Sequence, residues 1–153
     1  MSYVNQVIQP GEKLRHIASI HWIVYLPGLA LAVAALVTFG YSEYAVSGKL
    51  FLKVAAALLG LGAVYLLGRE WFTWWTTEIA VTDHRIIFKT GLVRRRTNEM
   101  NMEKVESVQV DQSVLGRILN YGDVVIIGTG EGQEQLRAIA SPINLRNHIT
   151  GIS

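Results

Sequence analysis

Two uninterrupted apolar stretches, Ile20–Tyr41 and Leu50–Gly68, precede a region in which apolar and polar residues alternate in short runs. A helix needs about 20 mostly apolar residues to cross the ~30 Å hydrocarbon layer, and each stretch is long enough. The first carries no Asp, Glu, Lys or Arg; the second carries only Lys53, near its start. The connection Ser42–Lys49 is short, so the pattern predicts two antiparallel membrane helices. A cleaved leader is the competing reading of the first stretch, with Lys13 and Arg15 as its positive flank. The run exceeds the usual ~7–15 apolar residues of a leader and ends in TFGYSEY, whereas cleavage favours small residues. A retained helix is the better reading. The expected organisation is 1–19 as an N-terminal segment, 20–68 as the helical hairpin and 69–153 as a soluble domain.

Within the hairpin, Gly28 and Ala32, and Ala56 and Gly60 with Gly62 beside them, have the small-residue spacing that permits close helix packing. Pro27 is expected to kink the first helix. Trp22, Tyr41, Tyr44, Trp71, Trp74 and Trp75 lie near the helix ends, where amphipathic rings favour the headgroup level; Phe72 belongs to the same cluster. The flanks carry Lys13, Arg15, Arg69 and Arg85, against Lys49 and Lys53 on the loop side. That bias places both termini in the cytoplasm.

Past the aromatic cluster the period becomes that of strands. Glu78–Thr82 is the first, with Ile79 and Val81 on one face. Asp83-His84 makes a turn, its Asp capping backbone donors. Arg85–Thr90 follows, with Ile86 and Phe88 on one face and Arg85, Ile87 and Lys89 on the other. Thr90-Gly91 reverses the chain into Leu92–Asn98. Ser107–Asp111, with Val108 and Val110 inward, is the fourth strand. Ser113–Leu119 breaks the alternation and suggests a helical turn. Asn120–Asp123 reads as a turn and Val124–Ile127 as a fully covered strand. Gly128–Gly132 is a Gly-rich hairpin turn. Gln135–Ala140 closes the series, with Leu136, Ala138 and Ala140 on one face. A short helix follows Pro142. The fold class is α+β: a transmembrane helical hairpin, then a curved antiparallel sheet or partial barrel with a short C-terminal helix.

Composition narrows the chemistry. A net charge of +2 over 153 residues is too small to make nucleic acid the main partner. With no cysteine, disulfides, Cys-based zinc sites and thiol catalysis are excluded. No acid or Arg lies deep in either span, which argues against a transporter or proton channel. The four histidines, His16, His21, His84 and His148, have no metal-binding spacing in sequence. Gly128–Gly132 lacks the ending of a phosphate loop. Glu99, Glu103 and Glu106 read as a solvated face. No catalytic residue, metal or cofactor is expected.

The sharpest polar feature is Arg94-Arg95-Arg96. With Lys89 on the preceding strand it can form a basic patch for headgroups or a partner; the plainer alternative is a solvated edge strand, where charge discourages aggregation.

The order T-D-x-R (Thr82, Asp83, Arg85), Gly91, R-R-x-x-E (Arg95, Arg96, Glu99), V-E-S-V-Q-V-D-Q-S (Val105–Ser113), G-R (Gly116, Arg117) and Tyr121-Gly122-Asp123-Val124 resembles the bacterial pleckstrin-homology-like domains. The resemblance covers roughly residues 70–150 and the hairpin ahead of them. It implies a curved antiparallel sheet closed by a C-terminal helix, for which few residues remain after Pro142. It implies no common activity; eukaryotic relatives of the fold include phosphoinositide binders, and fold alone does not give function. The expected role is a membrane-anchored, non-catalytic interaction module of the bacterial inner membrane, an accessory or scaffold subunit contacting membrane lipids and an integral-membrane partner or a second copy of itself. The alternative is binding of anionic headgroups through the basic hairpin.

Overall fold

A computed structural model describes residues 11–91, 96–130 and 132–151. It divides into two compact units: Trp22–Phe72, and the strands and short helices before and after it.

The first unit is a helical pair. A 3₁₀ turn, Trp22–Tyr25, leads into α1, Leu26–Tyr44; a connection through Gly48, at φ 75°, leads into α2, Lys49–Thr76. Both helices are long and apolar enough to cross a membrane, with mean hydropathies of 2.1 and 2.2, and only 11% of each apolar window is buried. A core helix of a soluble protein would be mostly covered, so this exposure supports membrane association. Pro27 falls in the first turn of α1, where its missing N–H has no intrahelical partner to lose; it starts the helix and does not kink it. The second helix runs past Gly68, so Trp71, Trp74 and Trp75 are helical and do not follow the helix.

The pair packs through small residues. A Cβ on Gly28 would sit 2.7 Å from Leu67 Cδ2, and one on Gly62 would sit 2.8 Å from Leu31 Cδ2. Ala35, Ala56 and Ala63 are buried, while Gly60 faces open space. Three polar side chains find partners within the pair. Thr38 donates to the Ala34 carbonyl and Ser42 to that of Phe39. Lys53 pairs with Glu43 at 2.9 Å.

Among the described residues the second unit contains seven strands in two antiparallel sheets, ordered β1-β2-β3-β4 and β5-β6-β7. They are β1 Leu14–Ala18, β2 Glu78–Thr82, β3 Arg85–Thr90, β4 Arg96–Asn101, β5 Val105–Asp111, β6 Tyr121–Gly128 and β7 Gln133–Ala140. Between β5 and β6 lies α3, Val114–Leu119; α4, Pro142–Thr150, ends the described chain. The sheets do not close into a barrel. They meet where Ile20 bridges Ile139, with Ala140 N–H donating to Ser19 O and His21 N–H to Ala138 O. Ile79, Val81, Ile86 and Phe88 from one sheet face Val124, Ile126, Leu136 and Ile139 from the other. Leu145 and Ile149, one helical turn apart on α4, complete the core. Each buried large aliphatic contributes about 1.5–3 kcal/mol relative to exposure.

Several local expectations change. β6 begins at Tyr121, so only Asn120, at φ 57°, serves as the turn. Along β6 burial alternates, with Val124 and Ile126 covered and Val125 and Ile127 only half covered; the strand is not enclosed on both faces. On β7 the inward set is Leu136 and Ile139. The register shifts between Gly122 and Val124, and Ala138, at φ 50°, donates its N–H to Asp123 Oδ1 at 2.8 Å. The bulge inserts a residue and inverts the alternation beyond it, removing Ala138 and Ala140 from the expected face.

Candidate functional site

The polar residues of the β2–β3 turn hold the start of the second unit. Arg85 forks onto Glu12, Nε to Oε1 at 3.0 Å and Nη2 to Oε2 at 2.9 Å, while Nη1 reaches Glu99 Oε2 at 2.7 Å. The Arg85 and Glu12 side chains are only 13% and 5% exposed. Hydrogen bonding to Glu12 is the main cause raising the guanidinium's already high pKa, against the opposing effect of burial. Thr82 Oγ1 donates to Glu12 Oε1 at 2.7 Å. It also accepts the N–H groups of Arg85 and His84, at 3.0 and 3.3 Å. Thr82 is therefore the residue that caps the turn. Asp83 accepts a backbone donor as expected, but that of Lys13, at 3.0 Å, and also meets His84 Nδ1 at 2.8 Å. Its pKa is lowered, first by His84 and then by the Lys13 N–H. The T-D-x-R set thus fastens Glu12 and Lys13 ahead of β1.

Of the basic residues, Arg94 and Arg95 lie outside the described residues. Arg96 opens β4, opposite Thr90. Lys89 pairs with Glu78 at 3.5 Å, its side chain 14% exposed. β4 is an end strand of its sheet, bonded to β3; its side chains at Thr97, Asn98, Glu99 and Asn101 are exposed, and Asn98 donates to Glu134 of β7. The aromatics expected at the membrane interface occupy helix ends. Trp22 is in the 3₁₀ turn, Tyr41 and Tyr44 in the last turn of α1, and Trp71, Trp74 and Trp75 in the last turns of α2; all six are exposed.

Other chemistry is sparse. A depression of about 230 Å³ is lined by Asp111, Ser113, Tyr121, Gly122 and Asp123. Among the described residues no three His, Asp or Glu side chains gather as a metal site. The Gly-rich segment joins β6 to β7, Gly128 N–H donating to Gly132 O at 2.7 Å.

Sequence spacing gives no sign of one pair. His16 of β1 stacks on His148 of α4, ring centroids 4.7 Å apart, because the fold brings the first strand against the last helix. Burial first, then the charge of His148, lowers the His16 pKa from its ordinary 6.5. The folded unit therefore binds protons at His16 less readily than the unfolded chain does. That contribution to stability is full above about pH 6.5 and is lost as pH falls toward the lowered folded value. Thermal unfolding of the full chain in detergent should occur at lower temperature at pH 5 than at pH 7.5. His16→Phe, which keeps a ring against His148, should flatten the dependence.

A family model described as bacterial PH domain matches residues 13–151. No curated protein matches the chain, and no solved structure matches it.

Proposed function

The chain belongs to the bacterial PH domain family, and from that premise we propose that it is a membrane-anchored, non-catalytic interaction module of the bacterial inner membrane. Its two long helices cross the bilayer, both termini face the cytoplasm, and the sheet unit serves as an accessory or scaffold subunit of a larger membrane assembly. The observation that carries this reading is the end strand β4, bonded to β3 and exposing the side chains of Thr97, Asn98, Glu99 and Asn101. A sheet edge can accept an added strand, main-chain bonds giving affinity and alternate side chains specificity. The test is capture of the tagged full chain from native membranes carrying a photo-crosslinker at Thr97 or, as control, at Thr129. A stoichiometric membrane protein crosslinked from Thr97 alone is expected. Recovery of the chain alone, or only with copies of itself, overturns the accessory role.

A second reading, contact with anionic headgroups through the β3–β4 turn, has one observation in its favour. Lys89 is the register partner of Glu78, the first residue of β2 after α2. The end of β3 therefore lies at the end of the sheet where the chain arrives from α2. Each Lys or Arg near an anionic surface contributes about 1 kcal/mol. A fluorophore at Thr90→Cys in the full chain should respond to added phosphatidylglycerol and lose that response with Arg94→Glu and Arg96→Glu; no response removes this reading.

A further inference from the structure

The most exposed apolar side chains of the sheet unit cluster on α3. Val114, Leu115, Ile118 and Leu119 are 75, 63, 73 and 39% exposed, and Ile143, at the start of α4, is 47% exposed. The exposure does not come from a loose loop. Ser113 Oγ accepts the Gly116 N–H at 3.0 Å at the N-terminus of α3. Gln112 Nε2 donates to the Tyr121 carbonyl at 2.9 Å and Asn120 Nδ2 to Ser141 Oγ at 2.8 Å. Gly116 is the residue turned inward, its Cβ position 2.6 Å from the Tyr121 carbonyl oxygen. The short helix is braced by its polar neighbours with its aliphatic side outward. A cluster of this kind on a soluble unit marks a contact surface.

Its place in the unit indicates the occupant. Tyr121, one residue beyond the α3 cap, stacks on His21 with ring centroids 5.1 Å apart. His21 is the last residue of this unit before the chain enters the 3₁₀ turn leading to α1. The return from α2 is at the same end, since β2 starts at Glu78 and its Ile79 pairs with Ala18, the last residue of β1. Only Thr77 separates α2 from β2. The α3 surface therefore stands at the end of the unit where the chain leaves for one long helix and returns from the other. Its composition agrees. The sequence VLGRIL has no acid and no aromatic, and Arg117 is its one charge. An aliphatic face with a basic residue suits the boundary between headgroups and acyl chains. The Arg117 stem can lie along the aliphatic side while its guanidinium reaches phosphate.

From this placement we infer that α3, with Ile143, is a third contact with the bilayer: an aliphatic wedge seated in the interfacial layer of the same membrane that the two long helices cross. This rests on the membrane-anchored reading above, and the experiment separates the two. The chain has no cysteine, so single cysteines at Leu115, at Leu36 in α1 and at Thr129 on the β6–β7 turn can each carry one bimane label. The full chain is reconstituted in phosphatidylcholine vesicles and quenched by spin-labelled lipid or by iodide on both sides. Lipid quenching at Leu115 should exceed that at Thr129 several-fold, with iodide quenching reduced to match. If Leu36 is lipid-quenched and Leu115 behaves like Thr129, the wedge is wrong and the spans stand. If Leu115 is shielded from both quenchers, a protein surface covers α3 and the lipid assignment falls. If Leu36 is not lipid-quenched, the spanning reading fails and takes the wedge with it.

Discussion

Arg85→Leu should cost the sheet unit about 1–3 kcal/mol, the loss expected when a partly buried charged group is left without this hydrogen-bond partner. Domains of this size have total stabilities of about 5–15 kcal/mol, so the variant should be largely unfolded at moderate denaturant, read as a lowered urea midpoint in detergent. The cost falls on Glu12. Its side chain is 5% exposed, and its carboxylate is held by both prongs of the guanidinium and by the Thr82 hydroxyl. Without Arg85 that carboxylate loses both prongs of the guanidinium. Glu99 makes a smaller demand, since its side chain is 35% exposed and water replaces the lost partner. Two further variants test the account. Arg85→Lys should recover only part of the loss, because an ammonium cannot form the two-pronged contact. Glu12→Gln with Arg85→Leu should be more stable than Arg85→Leu alone, because the carboxylate that Arg85 neutralised is gone. If Arg85→Leu unfolds at the wild-type midpoint, the T-D-x-R set is not what fastens the N-terminal segment.

That set shows how much of this protein can be read along the chain. The two apolar helices are legible because length and apolarity are local properties; the structure shifts only their ends, the first beginning at Trp22 because Ile20 bridges Ile139, the second running on to Thr76. β2 and β3 are legible because Ile79, Val81, Ile86 and Phe88 alternate as one buried face requires. The helical turn of α3 is legible as a break in period. β1 is not: in Leu14–Ala18 only Ala18 is buried, and Leu14 and Ile17 remain exposed. What makes it a strand is antiparallel pairing with β2, Ala18 opposite Ile79 and Leu14 opposite Thr82, across the whole helical hairpin. The motif residues Thr82, Asp83 and Arg85 stand out in sequence, but their purpose does not, because Glu12 lies 73 positions from Arg85. The stack of His16 on His148 is hidden for the same reason. The inward set of β7 is misread because the Ala138 bulge depends on Asp123 of the neighbouring strand. Among the expected site residues, Lys89 is placed against Glu78 and Arg96 at the start of β4, while Arg94 and Arg95 lie outside the described residues.

Gly122→Ala should destabilise the sheet unit by about 1–3 kcal/mol, the range for forcing extra volume into packed surroundings, though replacing Gly in a strand ordinarily helps. Gly122 has no unusual backbone requirement among the positive-φ residues; space is the constraint. A Cβ there would lie 2.6 Å from the Asp111 carbonyl oxygen, 2.6 Å from Gln112 Cγ and 3.3 Å from Pro142 Cγ. The carbonyl belongs to β5, whose Asp111 is the register partner of Asp123 on β6, and it cannot retreat without disturbing that end of the sheet. The added methyl must therefore displace backbone. Gly132→Ala is the matched control, because its Cβ would meet only Met100 Cε at 3.9 Å. It should leave the urea midpoint near wild type. The same crowding reaches α3. Gly122 lies against Gln112, which braces α3 by donating to the Tyr121 carbonyl. Gly122→Ala should therefore also lower lipid quenching of a Leu115 label while leaving a Leu36 label unchanged. A wild-type midpoint for Gly122→Ala would show that β5 yields more easily than its pairing implies. It would also remove the rigid brace from the argument that α3 is held outward by design of the fold.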